Sequence, residues 1–486
     1  MKTISRRQFL KTTASASAAV CAALPLYVPA QVMGANNKIQ VALVGAGGHG
    51  TSVHVPNYLA SEIAQLSVVC DVDLARANAI AKLVSKKSKR EVAAVQDART
   101  LLDDKNIDVI SIATCNHWHA LLGIWACQAG KHAYIEKPVG HTMKEGRKLM
   151  ETAEKYGLCM QHGTHRRNFI EWYQTVGAFR SGKYGKPLAV HAFTFRPREG
   201  LGFRPVMDPP ASLDWNLWTG PAEMTPFHLN LQPYNWHWFW NTGNGEIGNT
   251  GVHYLDLCRL GLGDPEKHPS NVRSFGARIV KDAGRNYQDQ AETPTVQLAT
   301  YDFDGFPCIF EAVSIPCSLT PCRTTWYHTE DGYLTDGKFY PKNGSGPIPL
   351  DFQDFTPPNP GGWFGNFLNC VHENTPEKLN APMKVAHYST ALCHIANISQ
   401  RLGKPASWEE CTAGMGANSI LQERMEKVFK SIQEYLPDLD LRKNFQFTLG
   451  EVMNIDNQSE QFPGNDAANA MLSKVGRAPF TIPETV

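Results

Sequence analysis

Short apolar runs alternate with stretches of helical spacing through the first third of the chain. Ile39–Val44 runs into glycines, Leu66–Cys70 into Asp71, and Ile107–Ala113 into a polar stretch. His132–Ile135 is a fourth run and Leu158–Gln161 a fifth, with helical patterns at Ala120–Gln128 and Met143–Tyr156 between them. Buried strands alternating with helices predict a parallel sheet covered on both faces. After about residue 185 the pattern changes to apolar–polar alternation, as in Leu188–Phe195. Asp304-Gly305 separates Thr295–Phe303 from Phe306–Val313, a hairpin signal, and Asp331-Gly332 is a second turn. A mostly antiparallel sheet is expected there. Helical runs follow at Trp363–His372, Val385–Leu402 and Gly414–Tyr435, and the Pro/Gly-rich Asn343–Gly362 reads as a surface loop.

The N-terminus has a different texture. Ser5-Arg6-Arg7-Gln8-Phe9-Leu10-Lys11 precedes a weakly apolar run to Val28, broken by Pro25. That is the build of a signal peptide, too weak for a spanning helix. The arginine pair in this setting looks like a twin-arginine export signal. Residues 1–35 are assigned to it and the protein to the periplasm or beyond, with the twin-arginine machinery as partner. Since that route carries folded proteins, a cofactor acquired before export is expected.

Composition adds exclusions. Among 486 residues, 47 Lys plus Arg face 46 Asp plus Glu. Four of the positives lie in the first 30 residues, so the remainder carries −3. No nucleic-acid footprint results. The 12 cysteines show no C-x-x-C spacing. Cys317 and Cys322 are close enough in sequence to raise a disulfide.

Gly45-Ala46-Gly47-Gly48-His49-Gly50 directly follows the first run and precedes a plausible helix. Gly45 permits the tight turn, Gly47 a close approach of backbone to a pyrophosphate, and Gly50 close helix–strand packing. Asp71 ends the next run, where its carboxylate accepts from ribose hydroxyls and repels a 2′-phosphate. No Arg follows it immediately, so NAD is favoured over NADP. Thr114-Cys115-Asn116-His117-Trp118-His119 and Glu136-Lys137-Pro138 end the third and fourth runs. In a parallel sheet they face the same crevice as the glycine loop.

With these motifs the sequence resembles the Gfo/Idh/MocA oxidoreductases. Gly245-Glu246-Ile247-Gly248-Asn249-Thr250-Gly251-Val252-His253-Tyr254-Leu255-Asp256 matches a further family motif, with Asn249 where an Asp is common. The resemblance implies a Rossmann NAD-binding domain over residues 36–163. An α/β domain with an open, mainly antiparallel sheet follows over 164–486, for substrate and oligomer formation. It implies cofactor contacts from Gly45, Gly47, Gly48, His49, Gly50, Asp71, Thr114, Asn116, His119, Glu136 and Lys137. His253 is the expected acid/base for a substrate hydroxyl and Lys137 the cation that positions it. Asn249 orients either partner without the usual carboxylate's charge. Members are often oligomers, so a homo-oligomer is expected.

Trp215, Trp218, Trp236, Trp238 and Trp240 crowd one stretch. Aromatic faces stack on sugar rings, yet Trp also fills cores, and at least three of the five are expected in the core or an interface. Trp236, His237, His165 and Arg167 are the candidates for substrate contact. The pairs His117/His119, His162/His165 and His237/His253 lack H-E-x-x-H or a Cys–His cluster, so no metal is expected. The leading function is an exported NAD-dependent oxidoreductase acting on a secondary hydroxyl of a sugar or glycoside. A redox-neutral glycosidase, working by oxidation, elimination, hydration and re-reduction, is the alternative. A sugar-binding protein without turnover is a third reading, opposed by the presence of both Lys137 and His253.

Overall fold

The computed structural model describes residues 38–281 and 286–483. The export signal lies outside the described residues. Five βα steps build the first layer: β1 (Ile39–Val44), β2 (Ala64–Cys70), β3 (Ala93–Val95), β4 (Val109–Ile112), β5 (His132–Ile135) and β6 (Met160–His162). They form one parallel sheet in the order β3-β2-β1-β4-β5-β6. The order reverses between β1 and β4, and ligands bind at the strand ends there. The strands are short and apolar because helices bury both faces. Thr142 and Glu145 form a reciprocal capping box that starts the helix Met143–Tyr156.

The second sheet is built from β7 (Pro187–Phe195), β8 (Asn271–Ala277), β9 (Val296–Phe303), β10 (Phe306–Val313), β11 (Arg323–Thr329), β12 (Gly332–Thr335), β13 (Lys338–Pro341) and β14 (Ile348–Pro349), with β15 (Lys404–Ala406), β16 (Phe447–Leu449) and β17 (Met453–Asn454) at one edge. Its order is β14-β13-β12-β11-β7-β10-β9-β8-β16-β15, with β17 also on β8. Only the β7–β10 pair is parallel. The β9–β10 hairpin turns at Asp304 and Gly305, both with positive φ, as a tight primed turn requires.

Alternation along the strands separates two cores. Val190, Ala192, Cys308 and Phe310 pack with Trp172, Leu255 and Leu392 from the helices Ile170–Ser181, Val252–Gly261 and Met383–Arg401. Phe193, Phe195, Phe275, Ile309 and Val313 point the other way, onto Trp408, Leu421, Met425 and Phe429. The helices Trp408–Gly414 and Ser419–Tyr435 therefore cover the outer face of the central strands. Beneath them the buried carboxylate of Glu311 takes Nε of Arg424 at 3.1 Å and Nη2 at 3.0 Å. A separate anchor gathers Arg147, His268 and His387 around Glu460.

Several expectations are adjusted. After the third run, which holds β4, Asn116-His117-Trp118-His119 forms the first turn of the helix Asn116–Gln128. Gly414–Tyr435 is two helices, because Asn418 starts a new one by capping the amides of Ile420 and Leu421. Cys317 and Cys322 are free thiols, as is every described cysteine. Trp218, Trp236 and Trp238 are buried, so three of the five clustered tryptophans do fill a core.

Candidate functional site

A cleft of about 610 Å³ runs along the strand ends of the parallel sheet and under the Val252–Gly261 helix. One half is the glycine loop. Gly45 has φ +94°, and a Cβ on it would lie 2.4 Å from the Ala113 carbonyl oxygen. Gly50 is as constrained, since its Cβ would meet the Gly45 oxygen at 2.0 Å. Gly47 and Gly48 have open space where a Cβ would point. The loop therefore presents bare backbone to the cleft at a helix start, where a phosphate is favoured. Gly50 does not itself line the cleft; its part is packing.

Asp71 closes this half. Its Oδ2 accepts from the Ala46 amide at 2.8 Å and its Oδ1 from the Asp73 amide at 2.9 Å. Oδ2 keeps a lone pair for a ribose hydroxyl, while Oδ1 also takes Arg76 Nη1 at 3.4 Å. Burial pushes its carboxyl up from the usual range, and Arg76 works against that. Arg76 reaches Asp71 at 3.4 Å and lines the cleft, five residues on, where sequence reasoning did not look for it. These features fit a dinucleotide whose adenosine ribose meets Asp71.

Glu136 is a hub at the middle of the cleft. Its Oε1 lies 3.0 Å from His49 Nε2 and 3.2 Å from His54 Nε2. His54 Nδ1 lies 2.8 Å from Ser111 Oγ, which also accepts from the Tyr58 hydroxyl at 2.9 Å. Burial alone would raise the carboxyl, but the two histidines hold it well below its ordinary range. In return Glu136 raises His49. His54 and its relay carried no sequence signal, lying outside every motif. His119 sits between the carbonyls of Pro138, at 2.7 Å, and Thr114, at 3.1 Å, so it braces the two motif segments against each other. Asn116 donates to Asn244 Oδ1 at 3.0 Å, tying the cofactor half to the second sheet's loops.

Beyond Glu136 the expected reactive residues meet. Lys137 Nζ donates to the Asn249 carbonyl at 2.8 Å. Asn249 lies in the widened turn Ile247–Gly251 that leads into the helix bearing His253. Its amide donates to the Tyr234 hydroxyl at 2.9 Å. His253 and His165 have ring centroids 4.5 Å apart, and Trp363 packs on His165 at 4.7 Å. Burial pushes both imidazoles down, His165 to about 4, and His253 well below its usual value with help from His165 and Lys137. Both are neutral at ordinary pH. Trp236 stacks on His237 at 3.5 Å, and His237 Nδ1 donates to the Tyr234 carbonyl at 2.6 Å. All of these residues line the cleft except Trp363.

Arg167 is a correction. It does not reach the cleft but is 2% exposed, with Nε 2.7 Å from Asp256 and Nη2 2.6 Å from Asp264. Burial works against its charge, but the two carboxylates hold the guanidinium well above its ordinary range. Asp256 also accepts from Ser389 at 2.7 Å. The short turn His165–Asn168 sends the neighbouring Arg166 into the cleft instead. Among the described residues, two groups have metal-ligand spacing, His49–His54–Glu136 and His268–His387–Glu460, with ligand atoms within 4.8 Å. In the second, Arg147 already holds the carboxylate.

Comparison with known proteins agrees with this fold. The profile of an oxidoreductase family with an NAD-binding Rossmann fold matches residues 39–164, and that of the family's C-terminal alpha/beta domain matches 191–309. A twin-arginine translocation signal profile matches residues 3–23. The D-glucoside 3-dehydrogenase of Escherichia coli (strain K12) is 25% identical over 240 residues, 49% of this chain and 58% of that protein. The Alpha-N-acetylgalactosaminidase of Shewanella oneidensis is 28% identical over 171 residues, 33% of this chain and 37% of that protein. The matches thus span less than two thirds of the length of these curated relatives. The WlbA dehydrogenase of Bordetella pertussis, crystallised with NADH and UDP-GlcNAcA, superposes with a TM-score of 0.54 at 17% identity, covering 75% of this chain and 97% of that one.

Proposed function

The chain belongs to the GFO/IDH/MocA oxidoreductase family and carries its NAD-binding Rossmann fold and a twin-arginine export signal; from that premise we propose that it oxidises a secondary hydroxyl of a sugar or glycoside. The observation that carries this reading is the meeting of Lys137, Asn249 and His253 in one cleft with the glycine loop and Asp71. Bound NAD supplies the hydride acceptor. Lys137, held by the Asn249 carbonyl, presents its ammonium to the substrate oxygen and favours negative charge developing there. His253 is neutral because it is buried beside other cationic groups, so it accepts the hydroxyl proton. Its Nδ1 is buried with no hydrogen-bond partner among the described residues, which leaves Nε2 as the ring nitrogen to take that proton. The glycine loop and Asp71 would hold NAD, which would take the hydride from the C–H bond, while His253 takes the O–H proton as the carbonyl forms. Trp236 gives an apolar wall for the ring, and Tyr234 with Asn249 gives hydroxyl-reading groups.

A second reading rests on His165. It places another neutral imidazole 4.5 Å from His253, which suits a base that removes the proton beside a newly formed ketone. Elimination of the aglycone, water addition and return of the hydride would then make a redox-neutral glycosidase. Glycosidases named among the relatives point the same way. Purified, natively exported protein is tested by mass spectrometry for NAD and by absorbance on adding glycosides. Persistent reduced cofactor supports the dehydrogenase. Transient reduction with free aglycone supports the glycosidase. Neither bound nor added NAD being held would sink both.

A further inference from the structure

We propose that the substrate carries an anionic substituent, a carboxylate or sulfate ester, held by Arg166, Arg196 and Arg323; this rests on the sugar-oxidising reading above. A second pocket, of about 320 Å³, opens beside the main cleft, and these three arginines line both. Phe195, Pro197 and Pro321 make its other walls. The Arg166 guanidinium carbon lies 5.4 Å from the centre of the Tyr254 ring, the residue after His253. Its Nη2 donates to the Tyr254 hydroxyl at 3.0 Å, while its Nε is buried with no partner among the described residues.

The contrast with other arginines is informative. Arg147, Arg167, Arg198, Arg278 and Arg424 each sit on a carboxylate. Among the described residues, no carboxylate forms an ion pair with Arg166, Arg196 or Arg323. Asp336 senses the charge of Arg166 without forming an ion pair with it, and its Oδ2 accepts from the Thr324 hydroxyl at 3.3 Å. Arg196 and Arg323 are exposed, and three guanidinium groups with no carboxylate between them make one positive opening that favours an anion. Their planar forks match the oxygens of a carboxylate or sulfate. An exported enzyme does not meet nucleotide sugars, which leaves acidic or sulfated glycosides as carriers of that charge.

The test uses the NADH-loaded protein, which cannot oxidise an alcohol, and calorimetric binding of three methyl glycosides that differ only at one position: neutral hydroxymethyl, carboxylate and 6-sulfate. At least one charged glycoside should bind about tenfold or more tightly than the neutral one, and the advantage should shrink as salt rises. Which of the two it is identifies the group. In Arg166→Gln/Arg196→Gln/Arg323→Gln the advantage should vanish. Equal or tighter binding of the neutral glycoside by the unmodified protein overturns the proposal, as does an advantage that survives the triple substitution. Binding is read without turnover, so failure of hydride transfer would count against the sugar-oxidising reading alone.

Discussion

Lys137, just past β5 of the parallel sheet, and His253, on the helix Val252–Gly261, line one cleft, and neither belongs to the glycine loop or Asp71. Lys137→Met should slow reduction of the cofactor about 10²–10³-fold while mass spectrometry still finds NAD on the protein. His253→Ala should cost about 10²–10⁴-fold. His253 works as the neutral base, and burial lowers its pKa, so the sign is definite: acid removes activity, and does so late. The rate of the oxidation step should stay flat from pH 8 to well below the ordinary histidine value near 6.5, measured by stopped-flow absorbance. A fall centred near 6.5 would contradict that reading. Arg167 belongs to stability instead. Arg167→Leu strands Asp256 in the interior and should lower the unfolding free energy by about 3–5 kcal/mol in a denaturant titration.

At the scale of elements, strand ends were legible and their neighbours were not. Gly45, Asp71 and Lys137 each end an apolar run, so the parallel-sheet pattern alone pointed them into one crevice. Arg76, His54 and Arg166 follow by a turn of helix, and no periodicity says which side of the turn faces in. Reading Arg167 for Arg166 was an error of one residue on a short turn. The pattern gave Gly414–Tyr435 as helical without naming what its apolar stripe covers. That partner is the sheet face, and Leu421, fully buried against it, tests the point. Leu421→Ala should cost about 2–5 kcal/mol, read by thermal or denaturant unfolding. Arg424→Ala should cost a similar amount, by leaving Glu311 buried without its guanidinium.

For the molecule as a whole, buried histidines set an acid limit. His117 and His132 are pushed down by burial to about 4, and His162 and His394 to about 3. Each is neutral when folded and takes a proton when unfolded, so its contribution is present above about 6.5 and is lost as pH falls toward the folded value. Each can contribute a slope of about 1.4 kcal/mol per pH unit in that window. The melting temperature should therefore fall steeply between pH 6.5 and 4, and a flat profile would show that these rings titrate freely. The helices Trp408–Gly414 and Ser419–Tyr435 bear on another whole-molecule property. Twin-arginine export moves a protein already folded. A sheet with a bare apolar face would have to find a partner first or risk sticking on the way. This chain supplies that lining itself, so the passenger can be dry on that side before it meets the membrane, whatever company it keeps afterwards.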